Sequence, residues 1–541
     1  MDLICWSNLW RIWNFAISLF QPARVVLVVL LGFAQFALAS QNSNLQITPV
    51  SGGGFDIRVS GMMGQSWRLL ASTNYSSWLP FATNTVGADG TALFRDAGQG
   101  TRRYYRAQLL SSISGNVITA LSPSFTDVSN AVFQAKAGDT VKIPAGSGVW
   151  LNQSLVINKS ITLKGAGTTA PNVTKLQNGN PDGSGVVTAL IKVNLPADLP
   201  LRITGIFFDS VFNPIISGNG YQFPHKSAIR INGRDYNGNG VALTQVRVDH
   251  NVFNKGKMTV HWSGWAYGVT DHNSFTNADI AVGVWADDNF AWQREIKPGT
   301  QNAVFIEDNM FVINNDTDYE PNQQVYHQEG GRSTIRRNVF DGSTYTTGES
   351  LFIDSHGNWA GNPATGYYGA NNATDARGQP MIEIYNNTFH SHQGYQFADF
   401  RGGSSLIYSN AFVHDGRPAH VIQLTEEEAW QSLIFIPLRT VWPAEDQVNA
   451  TFIWNNTCRF NGAATARAMT ISDLSTNWNV GDSTFIHEGR DFWMKAPDAT
   501  TCTTYPQVVN FPSTIAYPMR FTCITSYIPY VYPHPFVTGQ N

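Results

Sequence analysis

The chain has 541 residues, of which 43% are hydrophobic and 14% are charged, so it has enough apolar side chains for a large core. Its formal net charge of −4 at pH 7 gives no sign of the basic surface that a nucleic-acid-binding protein needs, so no nucleic-acid partner is expected. Its 47 glycines and 12% aromatic residues are typical of short strands joined by tight turns, and its four cysteines are too few to hold such a chain together through disulfides.

Residues 1–39 have the pattern of a secretory signal peptide. Arg24 precedes an apolar run, and Ala37-Leu38-Ala39 matches a small-residue cleavage site. Further apolar residues upstream, such as Trp10, leave a membrane anchor as the alternative. No later stretch has the roughly 20 apolar residues that cross a bilayer. We therefore expect a secreted, periplasmic or cell-surface protein that has no membrane span after cleavage. We also expect a monomer.

Residues 41–110 predict a small antiparallel β module, which would serve as a spacer or an accessory domain. Apolar residues alternate from Phe55 to Val59, and glycine- and serine-rich turns separate the segments. A second unit, residues 116–541, opens with helically spaced apolar residues between Phe125 and Phe133. A short helix there would cover the end of a repetitive structure. The proline- and tyrosine-rich residues 527–536 are expected to cap the last coils.

The second unit contains an internal repeat. Seven segments share the order β-prone residue, two residues, asparagine, one residue, phenylalanine, with one extra residue in the second copy and cysteine as the last residue of the seventh. The recurring asparagines are Asn251, Asn273, Asn309, Asn338, Asn387, Asn410 and Asn456. In coils stacked about 4.8 Å apart, each asparagine can bond to the next and each phenylalanine can stack on the next. The repeat therefore predicts a parallel β-helix, an all-β solenoid.

The predicted cap, the AGDTVKIPAG and ITLKGAG strands and the repeat resemble the right-handed parallel β-helix proteins of the pectate-lyase-like superfamily, which share the pectin lyase fold. The resemblance extends from residue 116 to about residue 480. It implies a right-handed parallel β-helix with a polysaccharide as its partner, because the superfamily contains polysaccharide lyases, glycoside hydrolases, C5-epimerases and adhesion proteins. It does not select one reaction, since no complete catalytic signature is present.

Two double glycines allow the strands before the recurring asparagines to be aligned. Gly330-Gly331 and Gly402-Gly403 lie at the same distance before Asn338 and Asn410. Counting back from these glycines aligns the two preceding strands, and the segment 352–357 fits the same pattern. Side chains at equivalent positions of stacked strands form a column. The alignment predicts one column of His327, Asp354 and Asp399 and a second column of Glu329, His356 and Arg401. Residues two apart share a face of a strand, so both columns are expected to face solvent and to form a catalytic groove. A solvated sheet face without catalysis is the alternative.

Aromatic residues near these columns are candidates for binding sugar rings. Exposed aromatic faces pack against sugars, which predicts substrate-binding roles for His261, Trp262, Trp285 and Trp359. Ordinary packing is the alternative for each. The carboxylates of Asp287-Asp288 and of the segment 316–318 suggest Ca²⁺ as a cofactor, but the sequence assigns no set of metal ligands.

Three functions are consistent with these residues. In a lyase that cleaves a uronate-containing polysaccharide, His356 or His327 would be the base and Arg401 would neutralise the uronate carboxylate. The acidic residues would hold Ca²⁺ or orient the histidine; they are Asp354, Asp399 and Glu329. In a glycoside hydrolase, two of these carboxylates would perform the reaction. In a non-catalytic protein, the groove would only bind a glycan. The lyase is the interpretation that the sequence favours.

Overall fold

The structure of the protein is a computed structural model in which strands predominate. It describes residues 45–50, 53–61, 65–73, 78–87, 89–97, 103–111, 115–179, 189–209, 227–235, 237–288, 294–316, 323–347, 350–355, 379–392, 394–416, 420–425, 448–464, 470–472, 486–501 and 524–539. The predicted signal peptide lies outside the described residues. Internal contacts divide the chain into two units, Met1–Ile113 and Ser114–Asn541. Within the described ranges, no helix is both long enough and apolar enough to cross a membrane.

The first unit contains two small antiparallel sheets, as the sequence predicts. Its strands are β1 (Leu45–Pro49), β2 (Phe55–Ser60), β3 (Ser66–Ser72), β4 (Leu79–Thr85), β5 (Thr91–Asp96) and β6 (Tyr104–Ser111). One sheet has the order β1-β2-β5 and the other the order β4-β3-β6. Alternate side chains enter one apolar core, which includes Ile57, Trp67, Leu69 and Phe94.

The second unit begins with helix α1 (Phe125–Gln134), where the sequence predicts a helix. The Ser124 hydroxyl caps its N-terminus by accepting a hydrogen bond from the backbone N–H of Asp127. Val128 and Val132 are buried and join the core of the solenoid. The helix packs against the first strands that follow it, so it covers that end of the core. A second helix, α2 (Pro535–Gly539), lies close to the C-terminus.

Two long sheets form the body of the second unit. The 12-stranded sheet, which we call the ladder sheet, consists of β7 (Val117–Thr119), β8 (Thr140–Lys142), β11 (Thr162–Lys164), β14 (Leu201–Thr204), β17 (Leu243–Asp249), β19 (Ala266–Asp271), β21 (Val304–Glu307), β24 (Arg332–Arg336), β27 (Gln379–Tyr385), β30 (Gly403–Tyr408), β33 (Thr451–Trp454) and β37 (Phe492–Trp493). Its neighbours pair in parallel, each with the corresponding strand of the next coil.

The 19-stranded sheet supplies the other two sides of each coil. Its strands are β9 (Gly146–Trp150), β10 (Leu155–Ile157), β12 (Thr174–Asn178), β13 (Ala189–Val193), β15 (Phe207–Asp209), β16 (Ser227–Asn232), β18 (Val252–Ser263), β20 (Ser274–Trp285), β22 (Met310–Val312), β23 (Gln323–Gln328), β25 (Val339–Gly342), β26 (Ser350–Ser355), β28 (Thr388–Ser391), β29 (Gly394–Phe400), β31 (Ala411–His414), β32 (His420–Thr425), β34 (Thr457–Phe460), β35 (Ala463–Ala464) and β36 (Thr470–Ser472). The long strands β18 and β20 pass from one side to the other, and all three sides enclose one apolar core.

The seven predicted asparagines form a continuous hydrogen-bonded ladder. From Asn251 to Asn410, each side-chain Nδ2 donates to the Oδ1 of the next asparagine over 2.9–3.1 Å. The same Oδ1 accepts the preceding asparagine's backbone N–H over 2.9–3.0 Å. The residue before each asparagine has a left-handed backbone, with φ between 52° and 58°. The ladder thus satisfies the buried polar groups of a turn that recurs in every one of these coils.

A column of phenylalanines follows the asparagine ladder inside the solenoid. Neighbouring rings from Phe208 to Phe412 have centroids 4.4–5.0 Å apart and planes within 12° of parallel. Cys458 pairs in register with Phe412, so it occupies the next position of the column as a small buried side chain. The two ladders and the parallel register confirm the predicted parallel β-helix.

Residues 524–539, which we call the C-terminal segment, lie across the ladder sheet. Arg336 donates to the carbonyl oxygens of Tyr530 and Val531, and Arg247 donates to that of Phe536. These arginines belong to β24 and β17, in the middle of the sheet. The expected packing on the last coils describes only part of the segment, where the Tyr527 ring contacts Tyr408 of β30 and Trp454 of β33. The segment also extends over the central coils, because the buried arginines there offer donors to its carbonyl groups.

Candidate functional site

The candidate site lies on the outer side of strands β16, β18, β20, β23, β26, β29 and β32, which we call the polar face. Tyr326, Asp354, Asp399 and Gln423 lie side by side on four successive strands of this face. Their chain neighbours turn inwards, and Ile353 is part of the core. The predicted alignment of Asp354 with Asp399 is therefore confirmed. Coils separated by long stretches of sequence place two carboxylates next to each other.

Arg401 links the two carboxylates. Its Nε donates to Oδ2 of Asp399 over 3.0 Å and lies 3.6 Å from Oδ1 of Asp354. Both aspartates are fully buried, and the arginine side chain is 13% exposed. Buried carboxylates require charge compensation, and a guanidinium between them provides it. The predicted grouping of Asp354, Asp399 and Arg401 is present as one compact cluster, but it is not solvent-facing as expected.

His327 does not belong to this cluster, and its predicted place beside Asp354 is wrong. It pairs in register with Ser355, one residue further along β26. Its side chain is fully buried, with Nε2 bonded to the Ser333 hydroxyl over 2.6 Å and Nδ1 3.2 Å from the carbonyl oxygen of Asp354. Burial lowers the pKa of His327 to about 4. A neutral imidazole inside the solenoid is a core residue and cannot reach a substrate on the polar face.

An extra residue in the corner after β23 explains the error. Glu329 and Gly330 both have positive φ in that corner, at 50° and 81°. Counting back through it therefore shifts the alignment by one position, and a shift of one residue turns a side chain to the other face of a strand. Gln328, not Glu329, lies in register with Trp285 of the preceding strand β20. The predicted position of Glu329 in the second column is wrong for the same reason.

The predicted sugar-binding residues separate into two groups. Trp285 and His261 lie on the polar face, with ring centroids 5.5 Å apart, and Trp285 also contacts Tyr326. Trp262 is wholly buried in the core, where its Nε1 donates to the Thr270 hydroxyl, so its predicted role at the surface is wrong. His356 and Trp359 lie outside the described residues.

Several residues of the polar face escape the sequence analysis. Tyr326, Gln328 and Gln423 flank the carboxylates, and the Tyr326 hydroxyl lies 3.3 Å from Oε1 of Gln328. The column that contains Tyr326 also extends towards the N-terminal coils. In register order it passes through Gly283 and His261 to Arg230 and Lys192. The alternation within each strand is visible in the sequence, but the alignment between distant strands is not. A register fixed by the asparagine ladder alone fails wherever a corner gains a residue.

The acidic residues proposed for Ca²⁺ have other partners where the structure describes them. Asp287 accepts a hydrogen bond from the Ser263 hydroxyl, and Asp288 is paired with Arg294. Asp316 lies 3.4 Å from the ammonium group of Lys255. Over the described residues, no three His, Cys, Asp or Glu side chains converge as a metal site requires. The calcium requirement stays a prediction.

Comparisons with known proteins add a structural similarity. No family model matches the chain, and no curated protein matches it. Among solved structures, the chain is similar to the family 28 exopolygalacturonase of Yersinia enterocolitica. The two share 11% identity with a TM-score of 0.24, over 80% of this chain and 98% of that one. The assignment of the fold depends on the strand register and on the two ladders.

Proposed function

We propose that the protein is a polysaccharide-active enzyme that hydrolyses a glycosidic bond with Asp354 and Asp399. The observation that carries the proposal is the pair of buried carboxylates on adjacent strands, with Arg401 between them. Parallel strands are about 4.8 Å apart, so two aspartates in register can hold their carboxyl groups near the roughly 5–5.5 Å of retaining glycosidases. We therefore assign a double displacement, because a single displacement needs a wider gap between the carboxyl groups to admit water.

The position of Arg401 suggests how the two aspartates divide the reaction. Its guanidinium lies nearer to Asp399 than to Asp354, so it favours the ionised form of Asp399. Asp399 would attack the anomeric carbon while Asp354 gives its proton to the leaving oxygen. Water would then cleave the glycosyl ester, with Asp354 taking a proton from it. The burial of both groups strengthens these interactions, and it requires a local opening of the polar face before a polymer can reach them.

A lyase that acts on a uronate-containing polymer is the second candidate, and the arginine between the carboxylates favours it. Arg401 could neutralise a uronate carboxylate, as β-elimination needs. Because His327 does not lie on the polar face, one of the two bases predicted for the lyase reaction is excluded. His356 follows Asp354 by two positions and would have to supply the base. For this reason we place hydrolysis first.

The test is a screen of the purified protein on acidic and neutral polysaccharides, measuring new reducing ends and unsaturated products in parallel. We expect reducing ends without unsaturated sugars, and at least a 100-fold lower rate in both Asp354→Asn and Asp399→Asn, since a general acid or nucleophile contributes that much or more. Asp498→Asn is the matched control, because this aspartate lies on no strand of the polar face and its carboxylate bonds locally, to Lys495 and Thr500.

Three results would change the assignment. Unsaturated products that depend on His356 would establish the lyase, and a loss of rate on adding a calcium chelator would support the predicted metal. Glycan binding without turnover, equal in all variants, would establish a non-catalytic protein. Full activity in Asp354→Asn and Asp399→Asn would show that this carboxylate pair is not the catalytic site. Secretion belongs to the proposal too, and mass spectrometry of the exported chain for cleavage after Ala39 tests it.

A further inference from the structure

Arg230 lies on the polar face and has an unusual environment for a half-buried arginine. Its Nε donates to Oδ1 of Asn232 over 2.9 Å, and its Nη2 donates to the Ser263 hydroxyl over 3.1 Å. Both acceptors are neutral. By contrast, Arg247 and Arg336 pair directly with a carboxylate, and Arg332 uses its guanidinium on four backbone carbonyl groups. Asp287 acts on the charge of Arg230 without contacting it, and its carboxylate accepts a hydrogen bond from the Ser263 hydroxyl.

A second cation lies beside Arg230. Lys192 is its direct partner in the parallel register, on the preceding strand, and it is also half-buried. Within the described part of the chain, neither Lys192 nor Arg230 has a carboxylate within 4.0 Å. Burial without a charged partner lowers the pKa of Arg230. A buried cation without a carboxylate partner costs free energy that a bound anion would offset.

The neutral acceptors hold the guanidinium in one orientation. Asn232 is fixed in turn, because its Nδ2 donates to Oδ1 of Asn194 over 2.6 Å. Asn232 ends β16 two positions after Arg230, and Asn194 directly follows β13 two positions after Lys192, so both asparagines lie next to the cations at the end of the two strands. Among the described residues, the other N–H groups of the guanidinium have no hydrogen-bond acceptor, and their fork geometry suits a planar, two-oxygen acceptor.

We propose that Lys192 and Arg230 form a subsite that binds a carboxylate or sulfate group of an acidic polysaccharide. This inference rests on the proposed function, because it places the subsite in the column that contains Asp354 and Asp399. Four strand spacings separate Arg230 from Asp354, which is roughly 19 Å. A chain of several sugars that runs along the solenoid axis covers that distance. The substrate is therefore an anionic polymer, bound at a distance from the reacting bond.

The experiment measures binding and turnover separately. Binding of polygalacturonate, its methyl ester, a sulfated glucan and an uncharged glucan is measured by calorimetry on the Asp399→Asn protein, so that no polymer is cleaved. We expect at least one anionic polymer to bind and both uncharged polymers to bind about 10-fold more weakly or not at all, since one charged contact contributes that much. The two anionic polymers distinguish a carboxylate subsite from a sulfate subsite.

Variants locate the effect. Arg230→Gln and Lys192→Gln are each expected to weaken the binding of the anionic polymer about 10-fold, and Arg230→Lys less. Lys142→Gln removes an exposed cation of the ladder sheet and should leave binding unchanged. A thermal melt of each variant checks that it is folded. Equal affinity of Arg230→Gln, Lys192→Gln and Lys142→Gln for the anionic polymer would overturn the subsite, and so would the absence of any binding to an anionic polymer.

Measurements of polymer cleavage distinguish a failure of this inference from a failure of the proposed function. If the wild-type protein cleaves a polymer and the cation variants keep its KM, the subsite is wrong and the carboxylate pair stands. If the anionic polymer binds through Lys192 and Arg230 but is never cleaved, the subsite stands and the hydrolase is wrong.

Discussion

Burial inside the solenoid controls the protonation of individual histidines. His327 and His534 are both buried, and their pKa values fall to about 4 and about 3. Desolvation is the main cause in both cases, because a charged imidazole loses its hydration in the core. His272, by contrast, is partly exposed and hydrogen-bonded to Asp271, which raises its pKa. The protonation of a histidine in this protein thus depends on whether its side chain is buried in the solenoid or partly exposed.

This burial makes the stability of the solenoid depend on pH. Between about pH 6.5 and pH 4, the unfolded chain protonates His327 but the folded chain does not, so the free energy of unfolding decreases as the pH falls through this window. The contribution is up to roughly 3 kcal/mol. We expect the melting temperature to fall from pH 7 to pH 4.5, and to fall less in His327→Asn. An identical pH dependence in the two proteins would contradict the burial of this imidazole.

Individual residues also set the limit of what the sequence can predict at the site. Asp354, Asp399 and Arg401 are identified because polar residues at alternate positions stand out between apolar ones. Trp262 looks like a sugar-binding residue from its composition alone, but the strand turns it inwards, where Thr270 satisfies its indole N–H. Arg230 attracts no attention in the sequence, because only the folded register shows that its acceptors in the described ranges are the neutral side chains of Asn232 and Ser263.

At the scale of elements, the turn that contains the recurring asparagine determines the fold. Each such turn has a left-handed residue, an asparagine that bonds to the next coil, and a phenylalanine that enters the core. These three features recur in the sequence, so the parallel β-helix could be predicted from them. The corners on the opposite side of the coil have no such constraint. The extra residue near Glu329 is therefore invisible to a count from the ladder, and it misplaces His327.

The asparagine ladder predicts a graded cost of mutation along the solenoid. Asn338 bonds to ladder partners on both sides, namely Asn309 and Asn387, whereas Asn456 ends the ladder and bonds only to the coil before it. Asn338→Ala leaves buried donors and acceptors without partners on both sides, at a cost of about 3 kcal/mol or more. We expect a clearly larger drop in melting temperature for Asn338→Ala than for Asn456→Ala. Equal drops would mean that the ladder does not stabilise the stack.

At the scale of the whole molecule, the solenoid has two chemically different outer surfaces. The polar face carries the carboxylate pair and two cations, Lys192 and Arg230, that have no carboxylate partner among the residues the structure describes. The ladder sheet carries an ion network that the C-terminal segment covers, in which Arg336 and Glu307 pair with both side chains fully buried. The Tyr527 hydroxyl donates to Glu383 in the same network. The sequence predicts that this segment packs on the solenoid, but not where, because its partners are spread over coils far apart in the chain.

Removal of the C-terminal segment should destabilise the central coils. A chain that ends at residue 523 leaves Arg247 and Arg336 without the carbonyl oxygens that now accept their protons, and each such charged hydrogen bond contributes about 1.5–3 kcal/mol. We expect a lower melting temperature and faster proteolysis of the truncated protein. Tyr527→Phe, which removes only one hydroxyl, is the milder control. Unchanged melting after truncation would show that the segment is not part of the folded solenoid.

The central claim is the register that places Tyr326, Asp354 and Asp399 in one column, and engineered disulfides test it most directly. Partners in register on neighbouring strands lie about 4.8 Å apart, within the Cα range of a disulfide, while residues one position out of register face opposite sides. We predict that Tyr326→Cys combined with Asp354→Cys forms a cross-link under mild oxidation, detected by peptide mapping, and that His327→Cys combined with Asp354→Cys does not. Efficient cross-linking of residues 327 and 354 instead would contradict this register and the site derived from it.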